Sequence, residues 1–291
     1  MAETWTVRSL LAWAKSWLEK KGVESPRLDA ELLLAHALGC DRVRLYVDHD
    51  KPLTAEELGK VKPLLQRRAE REPVAYILGV KEFYGRPFRV GPGVFVPRPE
   101  TELLVQLALE ALPAEGEARA LDLCAGSGAI GVTLAAERPS LQVDLVELSA
   151  EAAEYATANA ARHAGGRARV LQGSLFEPLG TPEPRYHAVV SNPPYVQLTH
   201  RTSLAPEILL HEPSLALFAG DDGLDRLKKI VAAAPGWLLP GAFFGVELDP
   251  LQGDVVRQLC LAAGFTRVRV VQDLAKMDRF IAATWPGKAA P

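Results

Sequence analysis

The sequence predicts an α/β fold built on a mostly parallel, doubly wound sheet of seven strands, preceded by a small helical domain and a hairpin. Three observations predict it. From residue 99 onward, short apolar β-branched runs alternate with helical patterns, the arrangement that covers a parallel sheet with helices on both faces. One of these runs leads through a glycine-rich turn into a helix, ALDLCAGSGAIGVTLA over 120–135. The first 75 residues, in contrast, carry only helical spacing.

In that first region, TVRSLLAWAKSWLEKKG places Val7, Leu10, Leu11, Ala14 and Leu18 at helical spacing, and Gly22 ends the pattern. The next segment, SPRLDAELLLAHALG, has Ser25 at the N-cap position, Pro26 in the first turn and Gly39 as the stop. TAEELGKVKPLLQRRAERE opens with a capping box, Thr54 and Glu57, and Pro63 is expected to kink or divide the helix. Basic and acidic residues nearly balance through Val80, unlike a nucleic-acid-binding arm. Contact with a protein partner and plain packing both fit such a region. Residues 76–98 are rich in aromatics and glycine, and a hairpin is expected around Gly85-Arg86-Pro87. The expected domains are therefore 1–75, helical; 76–98, a hairpin linker; and 99–287, the α/β domain. Within the last, Leu103 to Leu112 reads as a helix, and strands are expected at 119–124, 142–147, 168–172, 187–191, 242–247, 266–271 and 279–284.

Composition narrows the classes. With 291 residues, 48% apolar and 24% charged, the chain is ordinary for a globular protein. A formal charge of −3 supplies no global basic field for nucleic acid. The three cysteines, Cys40, Cys124 and Cys260, are far apart and form no CxxC pair. Neither a disulfide framework nor a metal site is expected from them. No apolar run reaches the roughly 20 residues of a membrane span, and the first residues lack a signal-peptide core. A cytoplasmic protein without a membrane partner is the expectation.

The glycine turn supports two chemistries. Gly126-x-Gly128-x-x-Gly131 followed by Glu147 at the end of LQVDLVEL matches the dinucleotide fingerprint of a dehydrogenase. Asp122 argues for another ligand. It lies within the apolar strand end, where a pyrophosphate would be repelled and a cationic amine would be welcome. S-adenosyl-L-methionine carries an ammonium, a ribose diol and an adenine, which suit Asp122, Glu147 and an apolar cleft together. The pattern D-x-x-x-G-x-G with an acid ending the next strand resembles class I methyltransferases.

A second motif falls at the end of the fourth predicted strand, in AVVSNPPYV. Pro193 and Pro194 cannot continue a ladder, since each lacks an N–H and fixes φ. They stiffen the chain where ligands gather at the strand ends of such a sheet. The Asn192 side-chain oxygen and a proline carbonyl are two acceptors, the number needed to hold both hydrogens of an NH2 group. Tyr195 is expected to cover the planar face of that group. An amide or aromatic amine nitrogen delocalises its lone pair. Gripping its hydrogens aims the lone pair at a methyl donor and stabilises the charge that develops on nitrogen. Read by itself, this motif suits adenine, guanine or glutamine amino groups alike.

Further residues choose among them. VFVPRPETE over 94–102, together with AGSGAIG, SNPPYV and HEPSLALFAGDDGL, resembles the release factor glutamine N5-methyltransferases (the HemK or PrmC family) over nearly the whole chain. The resemblance implies methyl transfer from S-adenosyl-L-methionine, with S-adenosyl-L-homocysteine as product, to the glutamine amide in the Gly-Gly-Gln loop of class I peptide chain release factors. It implies that residues 1–75 recognise that substrate. It places the methyl-donor loop on Cys124, Ala125, Gly126, Ser127 and Gly128, the ribose acid on Glu147 and the adenine flank on Leu175 and Phe176. Asn192, Pro193, Pro194 and Tyr195 then take the glutamine, with Phe95, Arg98 and Thr101 lining the site. No metal is implied, and a nucleic-acid base is the alternative substrate. Three departures stand out: Cys124 where the family usually has Gly, Glu147 where it has Asp, and ELDPLQG in place of E-x-G-x-x-Q. The loop carrying the third is expected to lie remote from the amide grip, and His211-Glu212 is expected to order a loop.

Overall fold

The protein is described here by a computed structural model of residues 4–287. In chain order the helices and strands begin with α1 (Val7–Lys20), α2 (Pro26–Leu38), α3 (Arg42–Val47), α4 (Ala55–Ala69) and α5 (Val74–Leu78). A hairpin follows, β1 (Val80–Phe83) and β2 (Arg86–Arg89). Then come α6 (Glu102–Ala111), β3 (Ala118–Leu123), α7 (Ala129–Glu137), β4 (Leu141–Glu147), α8 (Ala150–His163), β5 (Ala168–Gln172) and β6 (Tyr186–Ser191). The chain ends through α9 (Pro206–His211), α10 (Asp225–Ala233), β7 (Leu238–Glu247), α11 (Gly253–Ala262), β8 (Thr266–Gln272) and β9 (Asp278–Thr284).

These elements form two compact units. The first holds α1–α5 and, from much later in the chain, residues 205–211 with α9. The α1 stripe Val7, Leu10, Ala14 and Leu18 packs with Leu33, Leu34, Leu45, Val61, Leu65 and Ile77. Thr54 and Glu57 form the capping box that their spacing predicts. Of the two outcomes expected at Pro63, division does not occur: α4 runs on through it. The carbonyl that it deprives of a donor belongs to Gly59, an exposed residue. Val61 and Leu65, buried on either side, hold the helix in the core. Assigning α9 to this unit also differs from the expected boundary, which left residues 205–211 in the α/β domain.

The second unit is built on a seven-stranded sheet in the order β5-β4-β3-β6-β7-β9-β8. All neighbours are parallel except β9, which runs antiparallel to β7 and β8. Alternate residues of β3 face opposite layers. Ala120 packs under α6, α7 and α8 with Leu104, Val132 and Ala160, whereas Leu121 and Leu123 meet α10 and α11 through Leu227, Ile230 and Val256. All seven strands fall near their predicted positions, although β7 starts at Leu238 rather than 242. Pro240 and Gly241 sit at its start, where the register against β6 shifts between Tyr186 and Ala188. The β1–β2 turn is Tyr84-Gly85, both with positive φ (52° and 70°), so the hairpin reverses one residue before the predicted Gly85-Arg86-Pro87. Strand order reverses between β3 and β6. That switch point is where open α/β sheets bind ligands, and the glycine turn and Asn192 follow those two strands.

Candidate active site

The glycine turn is shaped by left-handed backbone and by buried polar anchors. Cys124, Gly126 and Gly128 take φ of 57°, 57° and 80°. A glycine at 124 would adopt this without strain, whereas the Cβ of Cys124 makes the same conformation costly. Burial pushes the Cys124 thiol up to about 12, so it stays protonated. Asn159, fully buried on α8, donates to the Ser127 carbonyl at 2.9 Å and accepts from Arg89 N at 2.7 Å. Glu147, at the end of β4, accepts from Gly126 N at 2.7 Å and from Ser149 N at 2.8 Å. One carboxylate oxygen thus braces the turn and the other the start of α8. Each oxygen keeps further lone-pair capacity on the cavity wall.

Asp122 lies behind the turn. It is fully buried, and its Oδ2 accepts from Gly131 N in the first turn of α7 at 2.8 Å. Its Oδ1 has no partner. Burial, followed by the nearby Glu147 charge, raises its pKa to about 7. The expectation that it faces a ligand's ammonium does not match this placement, because Asp122 is absent from the cavity wall.

One cavity joins the two motifs. Its wall includes Phe95, Thr101, Cys124, Ala125, Gly126, Ser127, Glu147, Leu175, Asn192, Pro193, Pro194 and Tyr195. Ile130, Val146, Leu148 and Leu217 add apolar surface, and Arg226 adds a guanidinium. Four other expected site residues stand back from it: Asp122, Gly128, Phe176 and Arg98. Phe176 stacks on Trp237 with centroids 5.7 Å apart, and a Cβ at Gly128 would meet Val132 and Leu145. Arg98 pairs with Glu212 and lies over the Phe95 ring. Glu212 also accepts from Val96 N at 3.2 Å, so it orders the 95–98 segment beside the cavity.

The expectation that ELDPLQG is remote from the amide grip is overturned. Glu247 is 2% exposed and accepts from Thr101 Oγ1 at 2.6 Å and from the Tyr195 hydroxyl at 3.1 Å. Asn192 Nδ2 in turn donates to Thr101 Oγ1 at 3.3 Å. Gln252 donates through Nε2 to the Tyr195 carbonyl at 3.1 Å and the Asp222 carbonyl at 3.2 Å. Burial lifts Glu247 to about 7, against the hydrogen bonds from Thr101 and Tyr195 and the charge of Arg279. Burial and the Glu247 charge also raise the Tyr195 phenol well above its ordinary value. Sequence reasoning missed Glu247 and Gln252. The signal that exposed Asp122, an acid at the end of an apolar strand, is equally present at Glu247.

Comparison with known proteins bears on the same residues. The model of the PrmC N-terminal domain matches residues 9–79, and that of the methyltransferase small domain matches 87–220. A protein of Geobacter sulfurreducens named release factor glutamine methyltransferase is 46% identical over 279 residues, covering 96% of each chain. The chain belongs to that family. Relatives of the same name in Burkholderia pseudomallei and Rhodopirellula baltica are 42% and 37% identical and cover 89% and 97% of this chain, and 92% and 98% of their own. Two solved structures share the fold: a Pyrococcus furiosus methyltransferase (TM-score 0.52, 19% identity, 77% of this chain and 98% of that one) and the human Mettl16 catalytic domain (0.57, 13%, 78% and 82%). The chain is therefore an enzyme with a class I methyltransferase fold. Among the described residues no helix is long and apolar enough to cross a membrane.

Proposed function

We propose that this methyltransferase transfers the methyl group of S-adenosyl-L-methionine to the side-chain amide nitrogen of the Gly-Gly-Gln glutamine in class I peptide chain release factors. The observation that carries the reading is the shared cavity, where the glycine turn and Glu147 meet Asn192, Pro193, Pro194 and Tyr195. The relatives' names support the same substrate. The residues present fit the cofactor. Glu147 offers acceptor capacity for a ribose diol, Leu148, Val146 and Leu175 form an apolar wall for a purine, and Cys124 to Ser127 bring backbone close to a ligand. Bound there, S-adenosyl-L-methionine supplies an electrophilic sulfonium methyl.

The chain's own work is positioning and charge stabilisation. Asn192 Oδ1 and the Pro193 carbonyl accept the two hydrogens of the substrate amide. Their grip favours a localised lone pair on nitrogen and stabilises the positive charge that develops there. Tyr195 packs beside the same group, with its hydroxyl tied back to Glu247. No strong base is needed before attack, since the nitrogen sheds its proton afterwards. The helical unit of residues 4–80 and 205–211 is the part assigned to holding the protein substrate.

The test is Asn192→Ala, assayed with labelled methyl donor and release factor, the modified residue being mapped by mass spectrometry. Losing an oriented acceptor of this kind costs about 2.7–4 kcal/mol, so turnover should fall roughly a hundredfold to a thousandfold. Affinity for S-adenosyl-L-methionine, measured by calorimetry, should change much less. Near-normal methylation of the glutamine by Asn192→Ala would show that the motif is only a turn.

A further inference from the structure

We propose that Thr101 and Glu247 are positioning residues that set which way the Asn192 side-chain amide faces. The inference rests on the reading that Asn192 Oδ1 receives a substrate N–H. It follows from counting protons in the buried network. An ionised carboxylate has no proton and can only accept. Thr101 and Tyr195 each carry one hydroxyl proton, and both are spent on Glu247, at 2.6 and 3.1 Å. Thr101 Oγ1 then has only lone pairs to offer Asn192. The Asn192 atom 3.3 Å away must therefore be Nδ2. Hydrogen-bond logic, rather than a choice between look-alike atoms, fixes the amide.

The consequence is chemical. With Nδ2 engaged by Thr101, Oδ1 is the side-chain acceptor left for the cavity. A reversed amide would set its own NH2 against the substrate's NH2, donor against donor. It would also face Oδ1 to the Thr101 lone pairs. The network thus separates a gripping Asn192 from a repelling one, from residues that need not touch the substrate nitrogen. Thr101 and Glu247 are 3% and 2% exposed, so water does not compete for their bonds.

Ionisation of Glu247 is part of the device. When Oε2, the oxygen that Thr101 serves, takes a proton, Thr101 must accept and its own proton becomes free to turn toward Asn192; a proton on Oε1 reverses the Tyr195 bond instead. The groups facing Glu247 are the Thr101 and Tyr195 hydroxyls, the Arg279 guanidinium, which is bonded to Asp273 at 3.1 Å, and the Glu100 charge. Burial raises Glu247 to about 7. Turnover should therefore fall as pH drops through that value.

The experiment measures turnover on release factor against pH for the full chain and for Thr101→Val, Thr101→Ser, Glu247→Gln and Asn192→Ala. Calorimetric affinity for S-adenosyl-L-methionine and melting temperature are recorded for each. Thr101→Val keeps the shape and loses the hydroxyl; turnover should drop roughly tenfold to a hundredfold with cofactor affinity nearly unchanged. Thr101→Ser should restore it. Glu247→Gln cannot ionise and should lose the acid limb near pH 7. Parental turnover in Thr101→Val, equal damage in Thr101→Ser, or an acid limb persisting in Glu247→Gln would each overturn the proposal. Normal turnover in Asn192→Ala would instead overturn the amide-grip reading beneath it.

Discussion

At the scale of single residues, two buried acids near the switch point titrate far from their ordinary range. Asp122 and Glu247 both rise to about 7 because burial penalises the charged form. For an acid whose folded pKa is raised, stability is fully present below the unfolded value, about 3.9 for Asp. It is lost as pH rises through the folded value. Asp122 should therefore cost stability progressively between about pH 4 and 7. Asp122→Asn removes that ionisation and still offers an oxygen to Gly131 N. Its Nδ2 places two N–H donors where Oδ1 lacks a partner, so the variant starts at a disadvantage at low pH, and the gain is read as the change between the two pH values. Urea denaturation at pH 5 and pH 8 should show Asp122→Asn gaining a few kcal/mol on the parent at the higher pH, with Glu247 keeping its own share of the slope. An unchanged slope would mean that Asp122 is not the titrating group. The sequence made Asp122 legible as an anomaly, an acid in an apolar strand. It did not reveal which side of the glycine turn the carboxylate faces, because that depends on α7 lying against β3.

At the scale of elements, the glycine turn works because α7 lies very close to the sheet. A Cβ at Gly131 would meet Leu145 Cγ at 2.9 Å and Asp122 Cβ at 3.0 Å. Gly131→Ala should therefore destabilise by about 1–3 kcal/mol, as overpacking does. Gly59, exposed on α4 with nothing within 4 Å of a Cβ, is the control. There an alanine should stabilise by up to about 1 kcal/mol. Equal effects at the two positions would leave helix propensity, and not packing, as the reason for Gly131. The sheet was readable because its strands are apolar β-branched runs bounded by turns, so pattern and burial coincide at Val189, Val190 and Val143. The floor of the site was not. Thr101 and Glu247 are 146 residues apart, and no local period links a 3-10 turn after Pro99 to the end of β7. Pro63 failed as a helix breaker for a related reason: core contacts on both sides outweigh one lost hydrogen bond.

At the scale of the whole molecule, the chain leaves its α/β unit once after β6 to add α9 to the helical unit, and one carboxylate anchors that excursion. Glu207 accepts from Arg68 at 2.7 Å and Arg71 at 2.6 Å, while Arg68 also holds Asp29 at 2.7 Å. Arg68 is 5% exposed. Burial pushes Glu207 up, but Arg68 and Arg71 hold it below the ordinary carboxylate range. Its contribution is accordingly present above the unfolded value, about 4.3, and fades as pH falls below it. A six-residue helix such as PEILLH is too short for periodicity to announce, and nothing in it says which unit it joins. Breaking a buried pair by removing one partner leaves an uncompensated charge and costs about 3–5 kcal/mol. Glu207 keeps slight exposure, so Glu207→Ala should destabilise the helical unit by about 3 kcal/mol. Removing Glu56 from its exposed pair with Lys60 should have no measurable effect. Residues 205–211 form no part of the cavity wall, so calorimetric affinity for S-adenosyl-L-methionine should survive Glu207→Ala. With the proposed substrate-holding unit weakened, KM for release factor should rise more than turnover falls. Loss of cofactor binding in the same variant would place Glu207 in the support of the cavity instead.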